Sequence, residues 1–350
     1  MSEAFLTTTL QTLSNITCTS GNESAMRQAI RPLVADFVDE MRVDALGNLI
    51  TYKRGTGERP LRVLVTAHMD EVGLMVVGHT SEGGLKVAPS GGINARLLPG
   101  LSVSVGKDKI PGVMGLQAIH RAKGTRTVPE IAGLLVDIGA KTKDEAVKAA
   151  PLGTPVGFVT QARQIEGTLT GKAFDNRAGC AILAALLRAD PYPFDVYGVF
   201  TVQEEVGLRG AQVAAYAVNP DVGIALECTL ADDLPKEEPD VSPTTELGKG
   251  PAITVKDRSY STPPRLLRHF VRTAEAAAIP YQLKRPGVSG TEAGRIHAAR
   301  GGVPAITVAV PSRYIHSPRA LLRVRDFVDT WRLVREALLH LTVETLSFEI

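Results

Sequence analysis

Residues 62–71 read RVLVTAHMDE, and how this stretch is read decides the fold. Val63, Leu64 and Val65 form an apolar run of the kind found in a buried strand. The run stops on His68, Asp70 and Glu71. Polar groups are costly inside a sheet, so chemistry in α/β folds collects where strands end.

Outward from this strand the texture changes twice. Upstream, Met26, Ile30, Leu33, Val34 and Phe37 follow helical spacing, with Ser20 or Asn22 as the expected cap. MRVDALGNLITYKRG then reads as a hairpin with LGN at its turn. From about residue 72 to 164, short β-like runs alternate with Gly/Pro turns, and the one helical stretch is TKDEAVKAA at 142–150. This segment reads as a small inserted β domain. After Gly167, helices and strands alternate again: FDNRAGCAILAALLRA with Asp175 or Asn176 as cap, DVYGVFTVQ, GAQVAAYAV, DVGIALECT, TEAGRIHAAR, GVPAITVAV and a final amphipathic helix around Trp331. Such alternation implies a mainly parallel sheet covered on both faces. The expected division is an α/β domain, 1–71 plus 165–350, interrupted by a β domain at 72–164.

Composition narrows the function. The chain has 350 residues, 44% apolar and 22% charged, with 39 basic and 37 acidic side chains and a formal net charge of +2. No Lys/Arg block dominates, so nucleic acid is a poor partner. Apolar stretches such as Ala181–Leu187 are too short to span a bilayer, and MSEAFLTTTL lacks the pattern of a signal peptide. Three cysteines, Cys18, Cys180 and Cys228, suit a reducing compartment, and the expected location is cytoplasmic.

Four strand ends carry polar residues of interest: His68 and Asp70, then Glu204 and Glu205, then Glu227, then His316 in PSRYIHSP. Asp175 opens a helix. Taken singly each has an ordinary explanation: a capped turn, an N-cap, a solvated turn or a loop residue. Together, two histidines and several carboxylates make a donor set for divalent zinc, cobalt or manganese. The set exceeds one tetrahedral site, and two metal ions sharing a bridging carboxylate would use it fully. Asp70, two residues beyond His68, could hold the imidazole N–H and fix its tautomer. Glu204 and Glu205 are adjacent and should point apart, leaving one for metal and the other for a proton.

The segments VTAHMDEVG, GKAFDNRAG, FTVQEEVGLRGA, SGTEAG and VPSRYIHSP, in this order, resemble the M-forty-two peptidase family, the tetrahedral, glutamyl/leucyl-type metallo-aminopeptidases. The resemblance spans nearly the whole chain. It implies a phosphorylase/hydrolase-like mixed sheet sandwiched by helices, with an inserted small β-barrel-like domain used for oligomerisation into a tetrahedral dodecamer. It implies His68 as ligand of a first metal with Asp70 behind it, Asp175 as bridging ligand followed by a cis peptide, and Glu205 and His316 as second-metal ligands. Glu227 would complete the first site, and Glu204 would be the general base to a metal-bridging hydroxide. The implied cofactors are two divalent ions, zinc first with cobalt or manganese as alternatives; the implied substrates are peptides with a free N-terminus. Two positions depart from the family pattern: Glu227 and Glu292 stand where Asp is usual. Cys228 should face away from the site, as a core residue. The segment LADDLPKEEPD at 230–240 reads as an exposed loop. His79, His120, His269, His297 and His340 read as structural, interface or surface residues. A di-metal deacylase or amidase and an inactive assembly subunit stay open as alternatives. Arg209, Arg258, Arg285, Arg313 and Lys256 leave the preferred N-terminal residue open.

Overall fold

The computed structural model describes residues 1–58, 61–115, 130–235, 244–285 and 289–347. His120 and residues 236–240 of the acidic loop therefore lie outside the described residues.

Strand Arg62–His68 lies inside a mixed sheet whose order is Glu40–Val43, Leu49–Lys53, Asp195–Thr201, Arg62–His68, Val222–Leu230, Ala305–Arg313, Ala320–Arg323, Thr168–Gly171 and Arg163–Ile165. Two further short strands, Ala252–Thr254 and Gln282–Lys284, attach beside Ala305–Arg313. Along the main order the four strands from Asp195–Thr201 to Ala305–Arg313 are parallel and the flanks are antiparallel, while the side strands Ala252–Thr254 and Gln282–Lys284 are parallel to each other. The sheet is thus less parallel than the strand–helix alternation predicts, because the hairpin at 40–53 and the strands at 163–171 and 320–323 add to its edges without crossover helices.

Side chains of one strand alternate between two cores. Val63, Val65 and Ala67 join the larger core, which holds helices Glu3–Ser14, Ser24–Val34, Phe174–Leu187, Pro264–Ala276 and Val324–Leu339. Leu64 joins the opposite core, with Ala214 and Ala215 of helix Arg209–Val218 and Ala293 and Ile296 of helix Glu292–His297. Burial on both faces explains why the strand reads as a continuous apolar run rather than an alternating one. The hairpin turn is held by Asp44, whose Oδ1 accepts from the amides of Leu46, Gly47 and Asn48. Gly47 sits there at φ +104°, which a side chain would resist.

The inserted segment closes into a six-stranded barrel, in the order Gly73–His79, Leu85–Ser90, Leu135–Asp137, Ile110–Met114, Ser102–Val105 and Pro155–Phe158. Leu74, Val76, Leu85, Val87, Val105, Met114, Val136 and Phe158 give it a separate core. Its helix, Lys143–Ala149, is capped by Thr142, whose hydroxyl accepts from the Glu145 amide.

One predicted cap is corrected. The second helix begins at Ser24, Glu23 precedes it without a capping bond, and neither Ser20 nor Asn22 caps it. Ser20 has a different partner, described below. No helix of the described residues is long and apolar enough to cross a membrane.

Candidate metal centre

The carboxyl ends of the parallel strands converge. Thr201 pairs opposite His68, and Ala225 pairs opposite Thr66, so Glu227 arrives level with His68. Glu204 and Glu205 follow Thr201, and His316 follows strand Ala305–Arg313. Asp175 arrives from the start of helix Phe174–Leu187, where Asp175 and Asn176 have non-helical dihedrals and the peptide between them is cis. Asn176 takes the capping role, its Oδ1 accepting from the Gly179 amide at 3.0 Å. Asp175 is left free to face the site.

Asp175 stands between the two imidazoles. Its Oδ1 lies 3.2 Å from His68 Nε2, and its Oδ2 lies 3.5 Å from His316 Nε2. Glu227 Oε2 is 3.5 Å from His68 Nε2, and Glu205 Oε2 is 3.6 Å from His316 Nε2. Donors bound to one tetrahedral ion at about 2.0–2.1 Å lie about 3.3 Å from one another. The donor spacing here therefore matches two such sites that share Asp175. Glu204 also faces the centre, with Oε2 3.9 Å from His68 Nε2. Two triads, His68–Asp175–Glu227 and Asp175–Glu205–His316, contain the proposed ligands, and a third, His68–Glu204–Glu205, overlaps them.

Charge supports the same fit. Burial pushes Glu204 and Glu227 well above the usual carboxylate range, and pushes Glu205 up to about 7. Asp175 is the exception: burial opposes its charge, but hydrogen bonds from His316 and His68 hold it below its ordinary value. The bond to Asp175 raises His316 to about 9. Burial works against charge on His68, yet the Glu204 carboxylate and bonds to Asp175 and Asp70 outweigh it and hold the imidazole well above its usual value. So many acidic oxygens around two imidazoles form a donor set suited to divalent cations.

Behind the donors, Asp70 does more than its spacing predicts. His68 Nδ1 lies 3.1 Å from the Asp70 backbone carbonyl and 3.6 Å from its carboxylate, so the carbonyl is the closer acceptor. The Asp70 carboxylate instead accepts from Ser20 Oγ at 2.6 Å and from the amides of Glu204 and Glu205 at 3.0 and 3.1 Å. It thereby fixes the turn that presents both glutamates. Ser20 and the buried Glu23, which accepts from Gln203 N, escape sequence reading because their partners lie far along the chain.

A second buried group was equally hidden. Glu71 accepts from Lys172 Nζ at 2.7 and 2.8 Å, from Arg177 and from the Cys18 amide. Arg177 also donates to the Met69 carbonyl. These residues brace the His68–Asp70 loop against both sides of Asp175. Glu292 is fully buried beside the site; it accepts from Thr201 Oγ1, and its amide reaches Glu227 Oε1 at 3.4 Å. Asn176 Nδ2 donates to the other Glu227 oxygen. Cys228 Sγ lies 3.0 Å from the carbonyl of Phe174, next to Asp175. His79, His269, His297 and His340 each bond a backbone carbonyl away from the centre. Arg313 is paired to Asp233 at 2.6 Å, and Arg209 reaches Gln203.

Comparison with known proteins identifies the family. The family model described as M42 glutamyl aminopeptidase matches residues 47–333. The glutamyl aminopeptidase of Lactococcus lactis is 32% identical, covering 97% of each chain. An aminopeptidase structure from the archaeon Desulfurococcus kamchatkensis superposes with a TM-score of 0.92 at 33% identity, covering 98% of this chain and 97% of that one. The Pyrococcus horikoshii TET1 peptidase, described as assembling into a tetrahedron or a large octahedral shell, matches with a TM-score of 0.85 at 30% identity, over 96% of this chain and all of its own. On the extent of these matches, the chain belongs to the M42 glutamyl aminopeptidase family.

Proposed function

We propose that this protein is a dinuclear metallo-aminopeptidase that releases N-terminal residues from peptides. The observation that carries the reading is Asp175, whose two oxygens face different imidazoles, each with its own partner glutamate. His68, Asp175 and Glu227 would hold one cation; Asp175, Glu205 and His316 would hold the other. Bound there, two divalent ions would polarise the scissile carbonyl, lower the pKa of water and anchor a free α-amine. Asp70 orients His68 through its carbonyl and sets the 204–205 turn through its carboxylate. Glu204 Oε2 takes the proton of the attacking water and returns it to the departing amine.

Glu204→Gln keeps the shape and both ions but removes the proton acceptor. Turnover of aminoacyl-nitroanilides should fall about 10²–10⁴-fold with metal content unchanged. Normal rates with metal confirmed would refute the assignment. A panel setting aminoacyl-nitroanilides against acyl-amino acids and cellulosic substrates separates the peptidase reading from a deacylase.

The same reading extends to assembly and place. We take the barrel as the self-association module, in a shell like that described for the Pyrococcus horikoshii relative. Three buried, unpaired cysteines support a reducing, cytoplasmic setting.

A further inference from the structure

The barrel reaches the metal centre at the turn after strand Leu85–Ser90. His316 Nδ1 lies 3.0 Å from the carbonyl of Gly92, across 224 residues of sequence. A carbonyl can only accept, so Nδ1 carries the proton and Nε2 is the nitrogen turned to Asp175 and Glu205. The His316 side chain is 41% exposed, so packing alone does not fix its ring. Its own backbone and that of Tyr314 lie in the left-handed region, at φ +57° and +61°.

The two residues that make this approach are glycines. A Cβ on Gly92 would stand 3.2 Å from His316 Nδ1. A Cβ on Gly91, which has φ +87°, would stand 2.9 Å from Val72 Cγ1, 3.1 Å from Glu205 Cβ and 3.3 Å from Glu205 Oε2. A Cβ at Gly92 would crowd His316 and one at Gly91 would crowd Glu205, so that each neighbour must shift by a few tenths of an ångström. Ser90, Gly91 and Gly92 thus bring the barrel's backbone against two of the candidate ligands at once.

We propose that the Gly91–Gly92 turn of the barrel is a positioning element of the His316–Glu205 cation position. The Gly92 carbonyl selects the tautomer and angle of His316, and the bare Gly91 backbone leaves the Glu205 carboxylate its place. The barrel therefore serves the centre directly, besides any part in assembly. This inference rests on the reading that His316 and Glu205 hold one of two ions.

The test compares the wild-type chain, Gly92→Ala and Gly133→Ala by zinc and cobalt titration with metal analysis per subunit. Gly133 is also in the barrel, but a Cβ there meets nothing within 4 Å. Wild type and Gly133→Ala should bind two ions alike. Gly92→Ala should bind one ion as wild type and the other about 10- to 100-fold more weakly, the usual cost of disturbing the partner of a ligating histidine. The ion-free thermal unfolding of all three should agree. Equal affinity of Gly92→Ala for both ions overturns the inference while leaving the dinuclear reading intact. Fewer than one ion on the wild type overturns both. If Gly92→Ala fails to fold, ¹⁵N spectra of the histidine rings in the zinc-loaded wild type decide. A proton on His316 Nδ1 supports the inference, and a proton on Nε2 overturns it.

Discussion

Asp175 is the residue on which both candidate ion positions depend. Its two oxygens face His68 and His316 separately, so its loss should not be felt at one position only. Asp175→Ala should abolish binding of both ions, whereas His316→Ala should release one and leave the other; metal analysis after dialysis distinguishes them. Proton competition adds a pH dependence. His316 at about 9 and Glu205 at about 7 both hold protons that must leave before they can ligate. Ion uptake should therefore release protons at neutral pH, and apparent affinity should rise as pH climbs towards about 9. Calorimetry in buffers of different ionisation heat measures the protons; uptake without release would count against these two ligands. The candidate donors could be singled out in sequence because histidines and carboxylates gather where apolar strands end, while their division between two ion positions came only from the family resemblance. Ser20 was not legible, since its partner lies 50 residues away and a serine before a helix has an obvious local use.

At the scale of elements, the centre is held by charge buried beneath it. Lys172 and Arg177 lie on either side of Asp175 in the chain, and both reach Glu71 at the end of the His68 strand. Lys172 and Glu71 are each at most 2% exposed, so removing one partner leaves a charge poorly compensated in the interior. Lys172→Met should cost about 3–5 kcal/mol of stability. Urea unfolding of the ion-free protein reads this directly, and a loss below about 1 kcal/mol, within the range of an exposed pair, would show that Arg177 alone suffices. Element positions followed from periodicity: the strand at 62–68, the hairpin at 40–53 and the helix at 174–187 all appear. Sheet direction followed less well. Alternating strands and helices say little about edge strands that return without a helix, and these make the sheet mixed.

At the scale of the molecule, one chain folds around three separate cores, one of them inside the closed barrel. Val77, Val113 and Leu152 of that barrel segment are exposed. If this surface is the seam between subunits, light scattering should give a mass several times 37.3 kDa. Leu152→Asp with Val113→Asp should shift it towards smaller species while each subunit keeps its ions. An unchanged mass would move the seam elsewhere. Sequence pattern marked the barrel segment by its short strands and Gly/Pro turns, but not its closure, which depends on Gly73–His79 pairing with Pro155–Phe158 across most of the insert. That closure also limits how the barrel can join others. Among the described residues each of its six strands has a paired neighbour on both sides, so none of them offers a free edge to a strand from another subunit. Contacts made through those strands are then side chains meeting side chains, which lets charge substitutions take a shell apart and leaves these strands no open edge from which a fibre could grow.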